Sequence, residues 1–292
     1  CHMKKILLIG KTGQLGSALL EIAPFFGYEV FVPSHQELDI CEWSMLEAKL
    51  IDVKPDLLIN ASGFVKVPQS EEMSREAYDV NAVAVGNMAK LCRRLDIKFV
   101  SYSTFYVFDG EAQEPYSEER APNPLQTYGI TKLAGEKAAL NFHSENSFVI
   151  RTGALYGGGR TGSTSKGNFI LDVLKEAREK NIIERSSEQF TNPTYAYNLG
   201  RATFELLAKN PATGIYHLVN EGYCSWDEFA REIVKLSGGE TEVKGVDRGG
   251  MSGEMRRPKF GALVNTKARS YGIILPTWQD GLKLYLHEIK NK

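Results

Sequence analysis

The chain has 292 residues, with 35 Lys and Arg against 36 Asp and Glu and a net charge of −1. No long run of either sign breaks that balance, which argues against nucleic acid and anionic membrane surfaces as partners. The longest apolar runs, such as ILLIG, fall far short of the roughly 20 residues that span a bilayer, so no membrane partner is expected. The charged start passes at once into a strand and a glycine turn, so no secretory leader is expected either. The length is enough to bury a full core in one large or two coupled domains. Cys1-His2 ahead of Met3 has the form of a cloning remnant, which leaves Cys41, Cys92 and Cys224 scattered without paired spacing. Idle thiols in a reducing cytoplasm are expected. The histidines (His2, His35, His143, His217, His287) show no ligand spacing, so no metal site is expected.

Lys4–Ile9 (KKILLI) reads as a strand ending in the turn Gly10-Lys11-Thr12-Gly13-Gln14-Leu15-Gly16. The amphipathic helix SALLEIAPFF follows, and Pro24 should end or bend it. Glycines three apart at this place let a pyrophosphate approach the backbone, facing the free N–H groups and positive dipole end of the helix. The bland alternative is an ordinary βα turn. Tyr28–Val32 reads as the second strand. An NAD site would place Asp or Glu at its end. Here Pro33, Ser34 and His35 stand there, with no acid to repel a 2′-phosphate and no Arg to grip one, leaving Lys11 in the glycine turn for that role, so NADP is mildly favoured over NAD. Asp39 and Ile40 follow, placed either to hold adenine or, for Asp39, to cap the next helix, CEWSMLEAKL.

Asp56–Asn60 is the third predicted strand and runs into the small residues Ala61, Ser62 and Gly63. A helix over about Ser74–Leu95 carries Asn81, whose buried amide must be satisfied either by tying loops together, the reading favoured, or by touching the site. Lys98–Tyr102 is the fourth strand. It delivers Ser103 and Thr104 to the carboxyl edge of the sheet, where open α/β sheets bind ligands. Tyr128 and Lys132 then sit i, i+4 in a segment of good helix formers without internal proline, so they share one helix face. A free phenol has a pKa of about 10, and an ammonium within about 4–6 Å favours its ionised form. The pair is therefore a candidate general acid for a developing alkoxide, with Ser103 or Thr104 supplying a hydroxyl to the same oxygen. Chance occurrence on a helix is the competing reading.

Phe148–Arg151 is the fifth strand, and five alternations of strand and helix predict a doubly wound, Rossmann-like parallel sheet. Gly153–Gly167 reads as a mobile loop. Helices over Asn168–Lys180 and Asn198–Lys209 follow, separated by the polar stretch SSEQFTNPT. A strand over Ile215–Val219 comes next, then a capping box Ser225–Glu228 opening a helix that Gly238-Gly239 closes. The segment 240–261 is expected to hold short strands and loops, and a final helix runs over Trp278–Glu288. Residues 1–152 are expected to form a dinucleotide-binding domain that also receives elements from about 190–219. Residues 153–292 should form a smaller, mixed α/β substrate domain packed directly on it, since no linker or repeat separates them.

The chain resembles the extended short-chain dehydrogenases/reductases, and within them the dTDP-4-dehydrorhamnose reductases. The resemblance runs through GKTGQLG, LDI, PDLLINAS, DVNAVAVGN, STFYVFDG, PNPLQTYGITKLAGE, VIRTGALYG, NPTYAYNLGR, GIYHLVNEGYCSWDEFA and RPKFGALVNT. It implies an NAD(P)H-dependent reductase of a 4-keto-6-deoxy sugar nucleotide, with Thr104, Tyr128 and Lys132 as the catalytic set. Tyr128 would protonate the C4 oxygen, Thr104 would hydrogen-bond the carbonyl, and Lys132 would hold the nicotinamide ribose and lower the Tyr128 pKa. Gly10, Thr12, Gly13, Gln14, Leu15 and Gly16 would border the pyrophosphate, Asp39 and Ile40 the adenine, and Ala61, Ser62, Gly63 and Ser103 the nicotinamide side. Phe105, Tyr106 and Ala154 would line the sugar with Thr104. Some relatives form magnesium-linked dimers, which brings Mg²⁺ and a homodimer into view without assigning ligands here.

Three positions depart from the family's pattern. Its S-T-D-Y-V-F has Phe105 in the Asp slot, its R-T-S-W-x-Y-G has Ala154 in the Trp slot, and its A-x-V-D loop reads Lys66-Val67-Pro68. All lie beside the sugar, which points to a different sugar or nucleotide carrier. A non-catalytic NADP-binding subunit, like the regulatory subunit of methionine adenosyltransferase, is the reading from another class. A dehydratase is disfavoured, because the acid pair it needs is Phe105-Tyr106, whereas an epimerase needs no such pair.

Overall fold

The computed structural model describes residues 3–158, 167–247, 249, 251–252 and 255–291. Lys4–Ile9 (β1), Tyr28–Phe31 (β2), Leu57–Asn60 (β3), Lys98–Thr104 (β4) and Ser147–Thr152 (β5) form one sheet with the strand Gly214–His217. The order across it is Gly214–His217, β5, β4, β3, β1, β2, and every pairing is parallel. Alternate residues bury on opposite faces, as the two-residue period of a strand requires. Ile6, Leu8, Ile59, Val100 and Ile150 meet the helices Gln14–Ile22 (α1) and Ala196–Ala208 on one face. Leu7, Leu58, Phe99 and Val149 meet Trp43–Val53 and Ala84–Leu95 on the other. The sheet is doubly wound, and the chain reverses its direction of travel between β1 and β3.

Local chemistry sets the remaining elements. Pro24 ends α1 at Ile22, and the chain continues as a 3₁₀ turn, Ala23–Phe26, with the proline in its first turn. The helix expected over 74–95 is interrupted by a wide π turn at Asp79–Val83, so it runs as Ser74–Tyr78, the π turn, and Ala84–Leu95. Ser225 accepts from the Glu228 N–H while Glu228 accepts from the Ser225 N–H, completing the capping box of Trp226–Ser237. The loop expected over 153–167 contains a strand, Ala154–Tyr156, parallel to Pro193–Tyr195, and residues 159–166 lie outside those described. The polar stretch SSEQFTNPT runs into the strand Pro193–Tyr195, where the Tyr195 ring packs against Tyr156 and Tyr285. These rings join Phe229, Trp278 and Leu282 in a second core, beside a parallel ribbon of Ile182–Ser186 and Glu242–Val246. Among the described residues the thiols are free: Cys41 is exposed, and Cys92 and Cys224 are buried.

Candidate active site

At the point where the strand order reverses, the end of β1 meets the end of β3. Gly10 has φ +89°, and a methyl there would stand 2.7 Å from the Ala61 backbone; at Gly16 it would stand 2.0 Å from the Gly10 carbonyl oxygen. Only glycine permits this packing of turn against helix and strand. Gly13 caps α1 without any side-chain hydrogen bond, and the Gln14 Oε1 atom is buried without a partner among the described residues. An uncapped helix N-terminus behind a backbone cradle fits the phosphates of a dinucleotide. Leu15 is buried within this turn and Thr12 is exposed at its rim. Lys11 Nζ donates to the Val32 carbonyl at 3.4 Å, so its ammonium stands at the end of the second strand. Asp39 is exposed and accepts from the Cys41 N–H at 2.9 Å. The cap position of the next helix is Glu42, so Asp39 forms a turn ahead of that helix and does not cap it. Ile40 packs, half-buried, on the sheet-face core.

Thr127–Phe142 is the helix that carries Tyr128 and Lys132. Gln126 caps it by accepting from the Gly129 N–H at 2.7 Å, and Glu71 accepts from both the N–H and the hydroxyl of Thr127 at 2.8 Å. Both functional side chains are buried. Lys132 Nζ donates to the Tyr102 carbonyl at 2.6 Å and lies close to Gly63. Asn81, in the π turn, accepts from the Phe64 N–H and donates to the Phe64 carbonyl and the Thr131 hydroxyl, tying the loop after β3 to this helix as expected. Ser62 donates its N–H and hydroxyl to Asn60 Oδ1.

Two expectations change here. Burial pushes the Tyr128 phenol above its ordinary range, and the opposing influence is a hydrogen bond from the Thr104 hydroxyl. The Lys132 ammonium, itself brought down to about 8 by burial, donates to the Tyr102 carbonyl and is not among the groups that lower the phenol. In the chain by itself the phenol is therefore not acidified. The Ser103 hydroxyl is directed elsewhere than to an open oxygen: it is buried and donates to Glu136 Oε1 at 2.5 Å. Thr104 Oγ1 also accepts from the Tyr106 N–H at 3.2 Å, which fixes it at the edge of the sheet.

The residues expected beside the sugar separate into two groups. Tyr106 sets its ring edge-on to Tyr128 at 5.6 Å, and its hydroxyl accepts from Arg257 Nη1 at 3.2 Å. Phe105 turns inward: its ring packs on Tyr106 and so closely on Gly261 that a methyl there would stand 2.3 Å from it. It belongs to an interior cluster with Val107, Phe108, Tyr116 and Leu263. Ala154 is half-buried in the strand paired with Pro193–Tyr195. Lys66 and Pro68 are exposed, and Pro68 precedes the short helix Gln69–Glu72. Arg257 also lines a cleft of about 840 Å³ with Phe169, Ile183, Arg185, Gln189 and Trp226. None of these six stood out in the sequence, although Arg257 lies in a basic pair within an otherwise polar stretch. Among the described residues no group of three or more His, Cys, Asp or Glu is gathered that fits a magnesium ion.

A buried phenol and a buried ammonium one helical turn apart, beside a dinucleotide cradle, are the equipment of an extended short-chain oxidoreductase, and the chain is an enzyme of that class. It belongs to the RmlD substrate binding domain family, whose model matches residues 3–291. It is 33% identical over 286 residues to the spore coat polysaccharide biosynthesis protein SpsK of Bacillus subtilis (strain 168), covering 98% of each chain. It is 32% identical over 300 residues to the dTDP-4-dehydrorhamnose reductase of Shigella flexneri, covering 97% of each. The crystal structure of dTDP-4-dehydrorhamnose reductase from Bacillus anthracis str. Ames in complex with NADP superposes with a TM-score of 0.92 at 29% identity, over 98% of this chain and all of the other.

Proposed function

We propose that this protein reduces the 4-keto group of a 4-keto-6-deoxy sugar nucleotide with NADPH, as the dTDP-4-dehydrorhamnose reductases it resembles do by name. The observation that carries this reading is the buried set Thr104, Tyr128 and Lys132 beside the cradle Gly10–Gly16. NADPH supplies the hydride. The chain supplies placement and charge stabilisation. Burial keeps Tyr128 protonated at neutral pH, which suits a donor to a strongly basic alkoxide. Thr104, fixed by the Tyr106 N–H, holds the carbonyl oxygen in line with that phenol. Lys132 faces the Gly63 side of the crevice, where the nicotinamide ribose would lie. A cation there also steadies the phenolate left after proton transfer.

The cleft beyond Tyr106 supports a nucleotide carrier. Its aromatic residues Phe169 and Trp226 suit a base, and Arg257 Nε is buried without a partner among the described residues. A guanidinium N–H in that condition suits a phosphate oxygen. Lys11, at the end of the second strand, supports NADPH over NADH.

The test is to follow NADPH consumption with a panel of 4-keto-6-deoxy sugar nucleotides on several carriers. Turnover that disappears in Tyr128→Phe supports the reading. NADPH binding with no turnover on any of them overturns it in favour of a non-catalytic subunit.

A further inference from the structure

The short segment Arg257–Gly261 lies between the Tyr106 end of the site and the cleft beyond it. On one side it is fixed to the stretch that carries Tyr106. Phe260 N–H donates to the Gly110 carbonyl at 3.0 Å, and a methyl at Gly110 (φ +77°) would stand 2.5 Å from Pro258 Cα. Gly261 abuts the Phe105 ring. On the other side the segment is fixed to the cleft wall: Phe190 N–H donates to the Lys259 carbonyl at 2.7 Å, and Gly261 N–H donates to the Phe190 carbonyl at 2.8 Å, next to the cleft residue Gln189. The guanidinium of Arg257 then faces two ways. Nη1 donates to the Tyr106 hydroxyl at 3.2 Å, while Nε is buried beside the cleft without a partner among the described residues.

Tyr106 is in turn tied to the Tyr128 end of the site. Its N–H donates to Thr104 Oγ1 at 3.2 Å, and its carbonyl oxygen is so close to Gly129 that a methyl there would stand 2.2 Å from it. Its ring stands edge-on to the Tyr128 ring at 5.6 Å. We propose that Arg257 is a positioning residue joining the two ends: with a phosphate oxygen of the nucleotide carrier on Nε, it holds the Tyr106 ring against Tyr128, so that the carrier raises turnover as well as binding. The proposal rests on the nucleotide-sugar reading given above. A guanidinium suits the task because its donors share one rigid plane, so a phosphate that fixes Nε also fixes Nη1. Its bond to phosphate is charge-assisted and roughly twice as strong as a neutral one. Contacts remote from the reacting atoms can be turned into rate, and a misplacement of about 1 Å costs on the order of 10²-fold.

The link is read first without turnover. Protein labelled with 3-fluorotyrosine gives ¹⁹F signals for Tyr106 and Tyr128, assigned with Tyr106→Phe and Tyr128→Phe. It is titrated with thymidine, uridine and guanosine diphosphates, with binding followed by calorimetry. At least one diphosphate should shift both signals in the wild type. In Arg257→Met it should bind about tenfold or more weakly and, at saturation, leave the Tyr128 signal at its free position. Arg257→Lys, which keeps the charge but not the fork, should recover much of the affinity and little of the Tyr128 shift. Tyr106→Phe keeps the phosphate contact and breaks the link, so it should bind within about twofold of wild type and lose the Tyr128 shift. With a sugar nucleotide that is turned over, Tyr106→Phe should lower kcat about tenfold or more at an unchanged KM, and adding Arg257→Met to it should lower kcat no further. A wild-type Tyr128 signal that no diphosphate moves overturns the proposal. So does a shift that survives in Arg257→Met at saturation, or kcat losses that multiply in the double variant. A wild type that reduces no sugar nucleotide would refute the reductase reading, while the diphosphate titrations decide the link by themselves.

Discussion

Gly13 and Gly16 look equivalent in the glycine turn, and the structure predicts opposite consequences for an alanine at each. At Gly16 a methyl would stand 2.0 Å from the Gly10 carbonyl oxygen, 2.6 Å from its carbon and 2.9 Å from Lys11 Cα. All three are backbone atoms, so the turn itself must move. Overpacking of that kind costs about 3 kcal/mol at the upper end of its usual range. Alanine returns about 1 kcal/mol of helix propensity within α1. A net loss of roughly 2 kcal/mol lowers the melting temperature by about 4–8 °C for a chain near this size. At Gly13 the nearest atom is the same oxygen at 3.4 Å, an ordinary contact, and φ −78°, ψ 166° suits any L-residue. Stability should therefore stay within about 0.5 kcal/mol, since the entropy removed from the unfolded chain offsets the weaker cap. The Gly13 methyl instead occupies the approach of the pyrophosphate, and NADPH should bind about tenfold or more weakly. Thermal melts and a fluorescence titration with NADPH read the two effects separately. A Gly16→Ala protein that melts like wild type, or a Gly13→Ala protein that binds NADPH like wild type, would refute the reasoning.

Tyr128→Phe removes one hydroxyl from a buried site without changing its shape, so melting should hold while kcat falls by about 10²–10⁴-fold; retention of wild-type kcat would remove Tyr128 from the chemistry. Gly261→Ala forces the Phe105 ring aside and should cost about 1–3 kcal/mol by urea denaturation, whereas Gly261→Ala combined with Phe105→Leu should recover much of it. Lys132 holds its proton more weakly folded, about 8 against 10.5, so the unfolded chain binds more protons between those values and stability should rise with pH there. The full effect is roughly 3 kcal/mol, and the rise should be missing from Lys132→Met when the two denaturation series are compared. His217, at about 3 against 6.5, works in the same sense at lower pH: its contribution to stability is lost as pH falls from about 6.5 toward 3, and His217→Gln should flatten that limb.

Contiguous residues carried much of this protein's description. The apolar runs KKILLI and DLLIN, the Gly10–Gly16 turn, the Tyr128–Lys132 spacing and the Ser225–Glu228 box each express a preference that their own backbone and near neighbours enforce. Those preferences fixed the strand and helix alternation, and with it the edge of the sheet on which a site would form. The π turn at Asp79–Val83 was invisible because it arises where Asn81 reaches across to Phe64 and Thr131.

Tertiary packing alone decided the rest. Phe105 was read beside the sugar and lies in the interior, because Gly261, distant in sequence, leaves room for its ring. Tyr106 meets Arg257 across 151 positions, Ser103 meets Glu136 across 33, and Glu136 meets Arg151 across 15. Local sequence cannot choose among such partners, since each choice depends on which surfaces are brought face to face. The protonation of the site belongs with them. Spacing places an ammonium one turn from a phenol, but the depth at which the fold buries both, and the carbonyl it offers to Lys132, determine the direction in which each is shifted.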